Sequence, residues 1–591
     1  MKKVWMVYMA DLATAEPFSQ TNNKRMEKRW LFKETPSQDQ IEKLSKAINT
    51  NPFLTAVLLQ RGISDFDSAK KYFRPSLDDL HDPFLMKDMD IAVDRLKAAL
   101  DREEKILIYG DYDVDGTTAV SLVYRYLRKF YPCCDVYIPD RYAEGYGVSR
   151  AGVEYAADND YSLIIALDCG IKSSDLVRVA EHKGVDFIIC DHHLPGDSIP
   201  NAVAVLDPKR EDCHYPCSEL SGCGLGFKLM QAYARKYRDE KELLEYLDLV
   251  AVSIASDIVP ILGENRVLAY YGLKKLNEDP MPGLKALKEI AGIKNELDIS
   301  GVVFTLGPRI NAAGRVAHAR AAVDLLIAQT EEEANALAEK VNLKNELRKE
   351  FDSSITEEAL AMIESNNLVR PSKSTVLFKN TWHKGVIGIV AARCIEKFYK
   401  PTVILTESNN KITGSARSVN GFDLYNAILS CSDLLEKFGG HKYAAGLTLD
   451  ASNLEAFQQR FEEVVSSTIT ADMLTPVIQI DYTIPLDVVN AKFLNVLKQM
   501  GPFGPENPRP VFEAGNLYVF NSLSSFKDRH IKFLVGQEGG TSIFQAVGFD
   551  MAEFYEPIAR GENFRMAFTI EENVYNGNTS IQLRIKDIKF D

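Results

Sequence analysis

Residues 105–116 read Lys-Ile-Leu-Ile-Tyr-Gly-Asp-Tyr-Asp-Val-Asp-Gly. The run from 105 to 109 is short and apolar, as expected for a buried parallel strand, and three aspartates follow it closely. Parallel strands of an α/β sheet end at one common edge, and ligands gather in the loops beyond that edge. The stretch therefore predicts an α/β sheet that carries Asp111, Asp113 and Asp115 at its carboxyl edge.

The same pattern recurs along the chain. A helix is predicted at 117–130, and further strands are predicted at 135–138, 163–167, 186–189 and 204–206. Asp168 follows the strand at 163–167, and Asp191-His192-His193 follow the strand at 186–189. Repeated strand–helix units of this kind indicate a parallel, doubly wound sheet. An apolar helix is predicted at 242–255, and it delivers Asp257 at its end.

Carboxylates and imidazoles from separate strand ends are the ligands that Mg²⁺ and Mn²⁺ prefer, and a pair of such ions serves phosphoryl chemistry. The set has enough ligands for two ions about 3.5 to 4 Å apart, with Asp168 as the candidate for the bridging ligand. The alternative, that these acids are helix caps after strands, accounts for one or two of them. It does not account for the whole set.

A second α/β unit is predicted downstream, with strands at 374–378 and 402–405 and a helix that opens at 382–388 and ends at Phe398. Residues 413–418 and 438–441 are predicted as glycine-bearing loops that hold Ser415, Arg417 and His441. Backbone amides in such loops bind phosphate, with an arginine fork beside them. Two such loops together favour a phosphate-handling lobe, although either alone is a weak indication.

Between the two α/β units, residues 315–370 contain neither glycine nor proline inside the interval, which predicts one or two long helices. The longer helix is expected to extend about 50 Å at 1.5 Å per residue. It can bridge two lobes across a cleft, or it can belong to an ordinary helix bundle. Both readings stay open.

The last 120 residues, by contrast, alternate in the manner of short strands. Strands are predicted at 511–520, 530–537, 542–549, 564–570 and 580–588, with a hairpin turn at Asn576-Gly577. About five short strands of this length suggest a small barrel of the oligonucleotide-binding (OB) type. Aromatic and basic residues interleave there as single-strand binding requires, and one or two of the aromatics are expected to contact bases. These residues are Phe520, Phe526, Phe533, Phe544, Tyr575, Lys527, Arg529, Lys532 and Arg584.

Composition agrees with a multidomain cytoplasmic enzyme. The chain has 591 residues, too many for one core, and three to five domains are expected. The net charge of −14 argues against a general polyanion-binding surface, yet a local basic groove is compatible with it. No apolar run approaches the roughly 18 residues of a membrane helix, so no membrane association is predicted. Residues 1–25 are expected to be a disordered extension or to follow from a misassigned start codon.

Nine cysteines form no evident disulfide framework, which fits a reducing compartment. Cys213, His214, Cys217 and Cys223 form one group that could be read as a zinc site. Their spacing matches no paired zinc knuckle, so we favour loop and core thiols.

Taken together, the motifs resemble the RecJ family of the DHH phosphoesterase superfamily over residues 26–591. They are Asp-Tyr-Asp-Val-Asp-Gly at 111–116, Asp-Cys-Gly at 168–170, Asp-His-His at 191–193, Asp257, Gly-Pro-Arg-Ile-Asn-Ala-Ala-Gly-Arg at 307–315, Gly-Ser-Ala-Arg-Ser at 414–418 and Gly-Gly-His at 439–441. Two features depart from the family: the N-terminal extension, and Ser256 where alanine usually precedes the aspartate.

The resemblance implies a role for each matching residue. It implies metal ligation by Asp113, Asp115, Asp168, His192 and Asp257. It implies that Asp111 and His193 assist the metals or the scissile phosphate. It implies that the DNA end is held by Arg309, Asn311, Arg315, Ser415 and Arg417, and we add His383 and His441 as phosphate-binding candidates. The cofactors expected from it are two divalent ions, Mn²⁺ or Mg²⁺.

It also implies an architecture, which is multidomain α/β. The expected parts are an extension at 1–35 that is disordered in part, a helical segment at 36–100, a DHH domain at 101–329, a connecting helix at 330–366, a DHH-associated domain at 367–468 and an OB-fold at 469–591. The implied activity is 5′ to 3′ degradation of single-stranded DNA to mononucleotides in repair and recombination. The expected partners are a helicase and a single-strand-binding protein, and the expected state is a monomer.

Two other functions stay open on the sequence. The first is a phosphodiesterase of the same superfamily that cleaves dinucleotides or short oligonucleotides. This function would account for the motifs of the first 460 residues, but it would leave the barrel and the long helix unexplained. A catalytically dead scaffold derived from this fold would be expected to have lost metal ligands. All of them are present here. No Gly-x-x-x-x-Gly-Lys loop suggests ATP use.

Overall fold

A computed structural model describes residues 26–369, 372–520, 522–575 and 577–590. The chain divides into two compact units, each of which is described by itself. The first comprises the described residues of Met1–Arg74, Ser354–Gly501 and Pro508–Asp591. The second comprises Pro75–Ser353 and Pro502–Asn507.

The strands are, in chain order, β1 Arg29–Phe32, β2 Lys105–Gly110, β3 Cys134–Tyr137, β4 Tyr161–Leu167, β5 Asp186–Cys190, β6 Ala204–Leu206, β7 Thr375–Phe378, β8 Thr402–Ser408, β9 Lys411–Arg417, β10 Lys437–His441, β11 Ala444–Leu449, β12 Val477–Ile480, β13 Tyr482–Thr483, β14 Phe512–Val519, β15 Ser524–Phe526, β16 His530–Gln537, β17 Ile543–Gly548, β18 Phe564–Tyr575 and β19 Asn578–Phe590.

The α-helices are α1 Gln38–Ile48, α2 Pro52–Gln60, α3 Phe66–Phe73, α4 Met89–Asp101, α5 Val114–Arg128, α6 Arg150–Asp158, α7 Ser174–His182, α8 Gly222–Tyr237, α9 Leu247–Ser256, α10 Gly263–Glu278, α11 Pro282–Ile290, α12 Ile299–Gly301, α13 Gly307–Val316, α14 Arg320–Ile327, α15 Glu331–Val369, α16 Ile387–Phe398, α17 Leu424–Leu429, α18 Leu454–Thr468, α19 Ala491–Gln499 and α20 Tyr555–Ala559.

The second unit is built on the parallel sheet that the sequence predicts. Its strand order is β3-β2-β4-β5-β6, and all four pairings are parallel. Alternate residues of β2 enter different hydrophobic cores: Ile106 and Ile108 enter one, and Leu107 and Tyr109 enter the other. Both faces of the sheet are therefore covered, which explains why its strands are apolar at nearly every position.

Two predicted helices of this unit differ in their bounds. The helix expected from 117 begins at Val114, because the Asp113 side chain caps it by accepting a hydrogen bond from the Gly116 amide. The prediction of one continuous helix at 242–255 is wrong. A 3₁₀ segment spans Glu240–Tyr246, and α9 then spans Leu247–Ser256. Asp257 follows directly and closes this helix, as expected.

Helix α15 is the long element that the composition of residues 330–365 predicts. It has 39 residues and so extends about 58 Å at 1.5 Å per residue. The boundary between the two units falls inside it, between Ser353 and Ser354.

The first unit contains a five-stranded sheet in the order β10-β11-β9-β8-β7, in which only β7 and β8 are parallel. The prediction of loops at 413–418 and 438–441 is wrong, because these residues form most of β9 and β10. Glycine is tolerated here since neighbouring groups need the space: a Cβ on Gly414 would lie 2.4 Å from Leu405 Cδ2. The helix expected to open at 382 begins at Ile387.

The C-terminal strands form a sheet in the order β13-β14-β18-β19-β17-β16-β15. β14 also pairs with β16, so the pairings β14-β18-β19-β17-β16 return to their first strand, as in the predicted barrel. β18 and β19 are longer than expected and pair as a hairpin up to Tyr575↔Asn578. Asn576 of the predicted turn lies outside the described residues.

The described residues of the N-terminal extension, 26–35, include a strand. β1 pairs in parallel with β12, and Trp30 packs beside Ile480 and Val511. The Trp30 indole donates a hydrogen bond to Asp587 Oδ2 at 2.8 Å. The remainder of the extension, residues 1–25, lies outside the described residues. None of the helices in the described part of the chain is both long and apolar enough to cross a membrane.

Candidate metal centre and phosphate-binding residues

The strand ends of the second unit bring the predicted acids together. Asp111 follows β2, Asp168 follows β4, and Asp191-His192-His193 follow β5, which are three adjacent strands. Their registers match, because Gly110 pairs with Leu167 and Leu167 pairs with Cys190. The side chains beyond these residues therefore start from the same level of the sheet.

His192 is the centre of this group. Its Nε2 lies 3.1 Å from Asp168 Oδ1, 3.7 Å from Asp257 Oδ2 and 3.8 Å from Asp115 Oδ2. Two sets of three side chains each offer one ligand atom within 4.8 Å of the others. The sets are Asp168, His192 and His193, and Asp115, His192 and Asp257.

Charge and burial in this group suit a divalent cation. Burial, and then the neighbouring Asp113 carboxylate, raise the pKa of Asp111 well above its ordinary value. Burial, and then Asp115, raise the pKa of Asp113 and raise that of Asp168 strongly. Among the described residues, Asp111 Oδ2 and His192 Nδ1 are buried without a hydrogen-bond partner. A positive ion at this edge would relieve the repulsion between these carboxylates.

Asp168 adopts a backbone conformation that aspartate rarely uses, with φ at +60°. The Asp168 amide donates a hydrogen bond to the Cys190 carbonyl at 2.9 Å, so the residue stays joined to the neighbouring strand. A strained acid at the end of a central strand is typical of a functional position.

Asp115 is held by the start of α8, a contact that the sequence does not reveal. Its carboxylate accepts hydrogen bonds from the Gly222 amide at 2.7 Å, the Cys223 amide at 2.8 Å and the Ser253 hydroxyl at 2.7 Å. Gly222 is required there, because a Cβ would lie 2.5 Å from Asp168 Cβ. The sequence offers one weak indication of this contact. Ser221-Gly222 stand at the start of a helix, where backbone amides point outward and can bind an anion.

Asp191 orients His193, although the sequence-based site included only the histidine. Burial alone would raise the pKa of Asp191, but hydrogen bonding and charge from His193 outweigh it and lower the pKa to about 2. Asp191 is therefore ionised and accepts from His193 Nδ1 at 2.7 Å, which leaves Nε2 beside the Tyr146 hydroxyl at 3.0 Å. Burial opposes the charged form of His193, yet Asp191 outweighs burial and raises the pKa of the imidazole.

Helix α13 carries three of the predicted DNA-binding residues in the same unit. A π-helical segment, Val302–Leu306, precedes it, and such segments are frequent at functional sites. Arg309 donates to Asn342 Oδ1 at 3.1 Å and to the Thr305 carbonyl at 2.7 Å. Asn311 and Arg315 are half-buried, and the Arg315 carbonyl accepts a hydrogen bond from the Tyr142 hydroxyl.

The remaining candidates lie in the first unit. Ser415 and Arg417 point to the same side of β9, and Arg417 Nη1 donates to Ser415 Oγ at 3.0 Å. The start of α16 faces them, since a Cβ on Gly388 would lie 2.8 Å from Ser415 Oγ and 2.9 Å from Arg417 Nη2.

The two histidines predicted to bind phosphate lie on either side of that pair in the chain. His441 aligns with Arg417 across β11, because Ala444 pairs with both residues. His383 precedes α16 and accepts a hydrogen bond from the Gly385 amide at 3.1 Å.

The cysteines belong to neither of the candidate metal sets found among the described residues. All nine are free thiols. Burial, and then the Asp115 carboxylate, raise the pKa of the Cys223 thiol well above its ordinary value.

Three family models match the chain in this order: the DHH family N-terminal domain at residues 105–254, the DHHA1 domain at 372–467 and the RecJ OB domain at 480–587. A Bacillus subtilis (strain 168) protein, single-stranded-DNA-specific exonuclease RecJ, is 36% identical over 95% of this chain and 70% of its own length. The chain belongs to the RecJ family.

Other members of the RecJ family agree with this assignment. The Escherichia coli (strain K12) RecJ is 32% identical over 85% of this chain and 90% of its own length. The crystal structure of RecJ from Thermus thermophilus, in complex with Mn²⁺, has a TM-score of 0.81 and 26% identity. That comparison covers 95% of this chain and 80% of the Thermus chain.

In the OB domain of this RecJ-family chain, the predicted base-contacting aromatics differ in how far they are exposed. Phe533 is core, with 1% of its surface exposed, whereas Phe520 is 48% exposed. Phe526 and Phe544 are half-buried, and the side chain of Tyr575 lies outside the described residues. Sequence reasoning missed Phe549, which is 39% exposed and packs against Phe526 and His530. The Arg584 guanidinium lies 5.0 Å from the Phe549 ring centre.

Proposed function

We propose that this protein is a metal-dependent exonuclease that degrades single-stranded DNA from 5′ to 3′ to mononucleotides, in DNA repair and recombination. The observation that carries the proposal is the convergence of Asp115, Asp168, His192, His193 and Asp257 at the edge of the parallel sheet. Buried and half-buried acids and histidines at that spacing suit metal-dependent phosphodiester hydrolysis.

We assign metal ligation to Asp113, Asp115, Asp168, His192 and Asp257, with Asp168 shared. Two divalent ions, Mn²⁺ or Mg²⁺, supply a bound water of lowered pKa and neutralise the charge that builds on the phosphate. The backbone amides of Gly222 and Cys223 and the hydroxyl of Ser253 fix the Asp115 carboxylate. Fixed ligands of this kind cost no reorganisation during the reaction.

Asp111 and His193 assist beside the ligands. Asp111 Oδ1 accepts from the Gly147 amide at 3.4 Å, which holds the loop that carries Tyr146. Asp191 keeps a proton on His193 Nδ1 and raises the pKa of the ring. The raised pKa of His193 favours the charged form of the ring, in which Nε2 can donate a hydrogen bond to a phosphate oxygen.

The 5′ end is bound by the first unit in this proposal. Ser415, Arg417 and the start of α16 form a pocket with a hydroxyl, a guanidinium and the amides of a helix start, which together suit a terminal phosphate. His383 and His441 flank it. Arg309, Asn311 and Arg315 on α13 are assigned to the backbone of the same strand.

The OB barrel binds the rest of the strand. Phe549 and Phe526 offer ring faces, and Arg584 and Lys532 offer positive charge. Stacking and backbone neutralisation of this kind tolerate any sequence. The domain limits that we propose are those expected above, with chemistry in 101–329, end binding in 367–468 and strand binding in 469–591.

A single-strand exonuclease requires a partner reaction that separates duplex DNA. We therefore propose that a helicase supplies the substrate, that a single-strand-binding protein keeps it open, and that the enzyme acts as a monomer.

The rival function, cleavage of short oligonucleotides or dinucleotides, makes a different prediction about length. Hydrolysis and binding should be measured on single strands from 2 to about 40 nucleotides, since OB folds bind about 4 to 16 nucleotides. The proposed function expects kcat/KM to rise with length until the OB site is filled. A preference for the shortest substrates would favour the rival.

A further inference from the structure

We infer that residues 502–507, Pro-Phe-Gly-Pro-Glu-Asn, position Asp257 for metal binding; the inference rests on the proposed function. In the sequence these six residues lie between α19 and β14. Their contacts nevertheless place them in the second unit, while the chain on both sides belongs to the first. None of these six residues is a proposed metal ligand or a proposed DNA-binding residue.

The segment holds the loop that follows Asp257. The Ile261 amide, four residues after Asp257, donates a hydrogen bond to the Pro505 carbonyl at 2.8 Å. Gly504 packs against the Ile261 side chain so closely that a Cβ would lie 2.3 Å from Ile261 Cγ1. Ile261 is fully buried, so it has no room to retreat.

The segment is itself stiff. The Gly504 amide donates to the Asn507 carbonyl at 2.9 Å, and the Asn507 amide donates to the Gly504 carbonyl at 3.1 Å. The fully buried Asn507 side chain donates to the Pro502 carbonyl at 2.8 Å. Two prolines restrict the backbone further, so the turn presents the Pro505 carbonyl at a fixed position.

The opposite side of the same loop is fixed by α10. Asn265 Nδ2 donates to the Pro260 carbonyl at 3.1 Å and to the Glu219 carbonyl at 2.6 Å. Ile258 has φ at +60°, a conformation that a β-branched residue adopts only when its surroundings impose it. The loop between Asp257 and α10 is thus held between the 502–507 segment and Asn265.

This arrangement acts on the metal centre through Asp257. The Asp257 carboxylate lies 3.7 Å from His192 Nε2. The backbone path directly after Asp257 is determined by Ile258, the residue with φ at +60°. Loss of the contact between Pro505 and Ile261 would let the loop relax, and it would move the carboxylate away from its partners. Groups that orient metal ligands typically change metal affinity by 10- to 100-fold when they are altered.

The test adds a methyl group at Gly504 and then removes its obstacle. Full-length wild type, Gly504→Ala, Ile261→Ala and the double variant Gly504→Ala/Ile261→Ala are compared. Gly196→Ala in the same unit is the control for the substitution itself, because the nearest atom to its Cβ would be Lys172 Cγ at 3.9 Å. Mn²⁺ binding is titrated without DNA by electron paramagnetic resonance, single-strand affinity is measured in EDTA, and unfolding temperature is recorded.

We expect Gly504→Ala to weaken Mn²⁺ binding at one site by about tenfold while single-strand affinity in EDTA stays at the wild-type value. The double variant should recover most of the Mn²⁺ affinity, and Gly196→Ala should match wild type. Unchanged Mn²⁺ affinity in folded Gly504→Ala would overturn the inference. The inference would also be overturned if Gly504→Ala weakened metal binding and DNA binding and lowered the unfolding temperature together, and the double variant did not restore them. Wild type that binds no Mn²⁺ would instead remove the proposed function itself.

Discussion

The imidazole of His192 and the carboxylate of Asp168 meet at 3.1 Å at the ends of two adjacent parallel strands. Both residues are 2% exposed, and their strands are in register through Leu167 and Cys190. A neutralising ion is the economical explanation for so many acids around one buried imidazole. The geometry makes Asp168 the first residue to alter.

Asp168→Asn should lower turnover by more than about 100-fold while the protein stays folded, because loss of a shared ligand exceeds the effect of losing an outer contact. Asparagine is the sharper choice over alanine, since it tolerates the left-handed backbone at φ +60°. Turnover on single-stranded DNA is measured at saturating Mn²⁺, and circular dichroism reports folding. A folded variant that keeps more than about a tenth of wild-type turnover would exclude Asp168 as a metal ligand.

Arg417→Ala should reduce kcat/KM on 5′-phosphorylated strands by about 10- to 100-fold, the value of one or two hydrogen bonds to a charged group. Strands with a 5′-hydroxyl should be affected much less, since they lack the group that Arg417 binds. Degradation of both substrates is compared for wild type, Arg417→Ala and Arg417→Lys, which keeps the charge but not the planar fork. Equal losses on the two substrates would remove Arg417 from the end pocket.

Phe549→Ala should weaken binding to long single strands by about 1 to 3 kcal/mol without changing hydrolysis of dinucleotides. A substitution is preferable to cutting off the barrel, because Trp30 packs against that domain and donates to Asp587. Fluorescence anisotropy in EDTA measures affinity, and Phe66→Ala is the control, since Phe66 is an exposed phenylalanine on α3. Equal affinities of Phe549→Ala and wild type would place the strand elsewhere on the domain.

Asp248 should make the stability of the second unit depend on pH. Burial raises the pKa of Asp248 to about 6, although the Met281 and Leu249 amides bind its two oxygens. The folded protein then holds a proton that the unfolded chain has released, so stability falls as pH rises from about 4 to 6. The fall amounts to about 3 kcal/mol and stops above pH 6.

The measurement is the unfolding temperature of wild type and Asp248→Asn at intervals from pH 4 to pH 7. The difference between the two proteins isolates this carboxyl from the others. Wild type should lose stability relative to the variant as pH rises to 6. A constant difference across this interval would show that Asp248 titrates normally.

The convergence of the acids and histidines at the sheet edge was predictable because its determinants are local. Asp111, Asp168 and His192 each lie one or two residues beyond the end of a strand, and parallel strands bring their ends to one edge without further information. The parallel pairing and the burial of the strands follow from the same runs, whereas the strand order does not. What the runs do not contain is the partner of each acid, such as the Gly222 amide for Asp115 or the Asp191 carboxylate for His193.

Several of the errors come from pairing between distant segments. Residues 413–418 were expected to be a loop because of Gly414, but β8 and β11 on either side recruit them as a strand. Arg29–Phe32 carry no strand pattern that stands out, and only pairing with Val477–Ile480 orders them. The role of residues 502–507 is equally invisible locally, since Pro505 meets Ile261 across more than 200 residues of sequence.

The proposed activity is the removal of nucleotides from the 5′ end of single-stranded DNA by one acid–histidine centre. It is tested most directly by a time course on a single strand labelled at its 5′ phosphate, with Mn²⁺ or with EDTA, and with either end blocked in turn. We expect the label to appear at once as mononucleotide with Mn²⁺. EDTA or a blocked 5′ end should stop release, whereas a blocked 3′ end should not. Release that begins at the 3′ end, or that continues in EDTA, would contradict it.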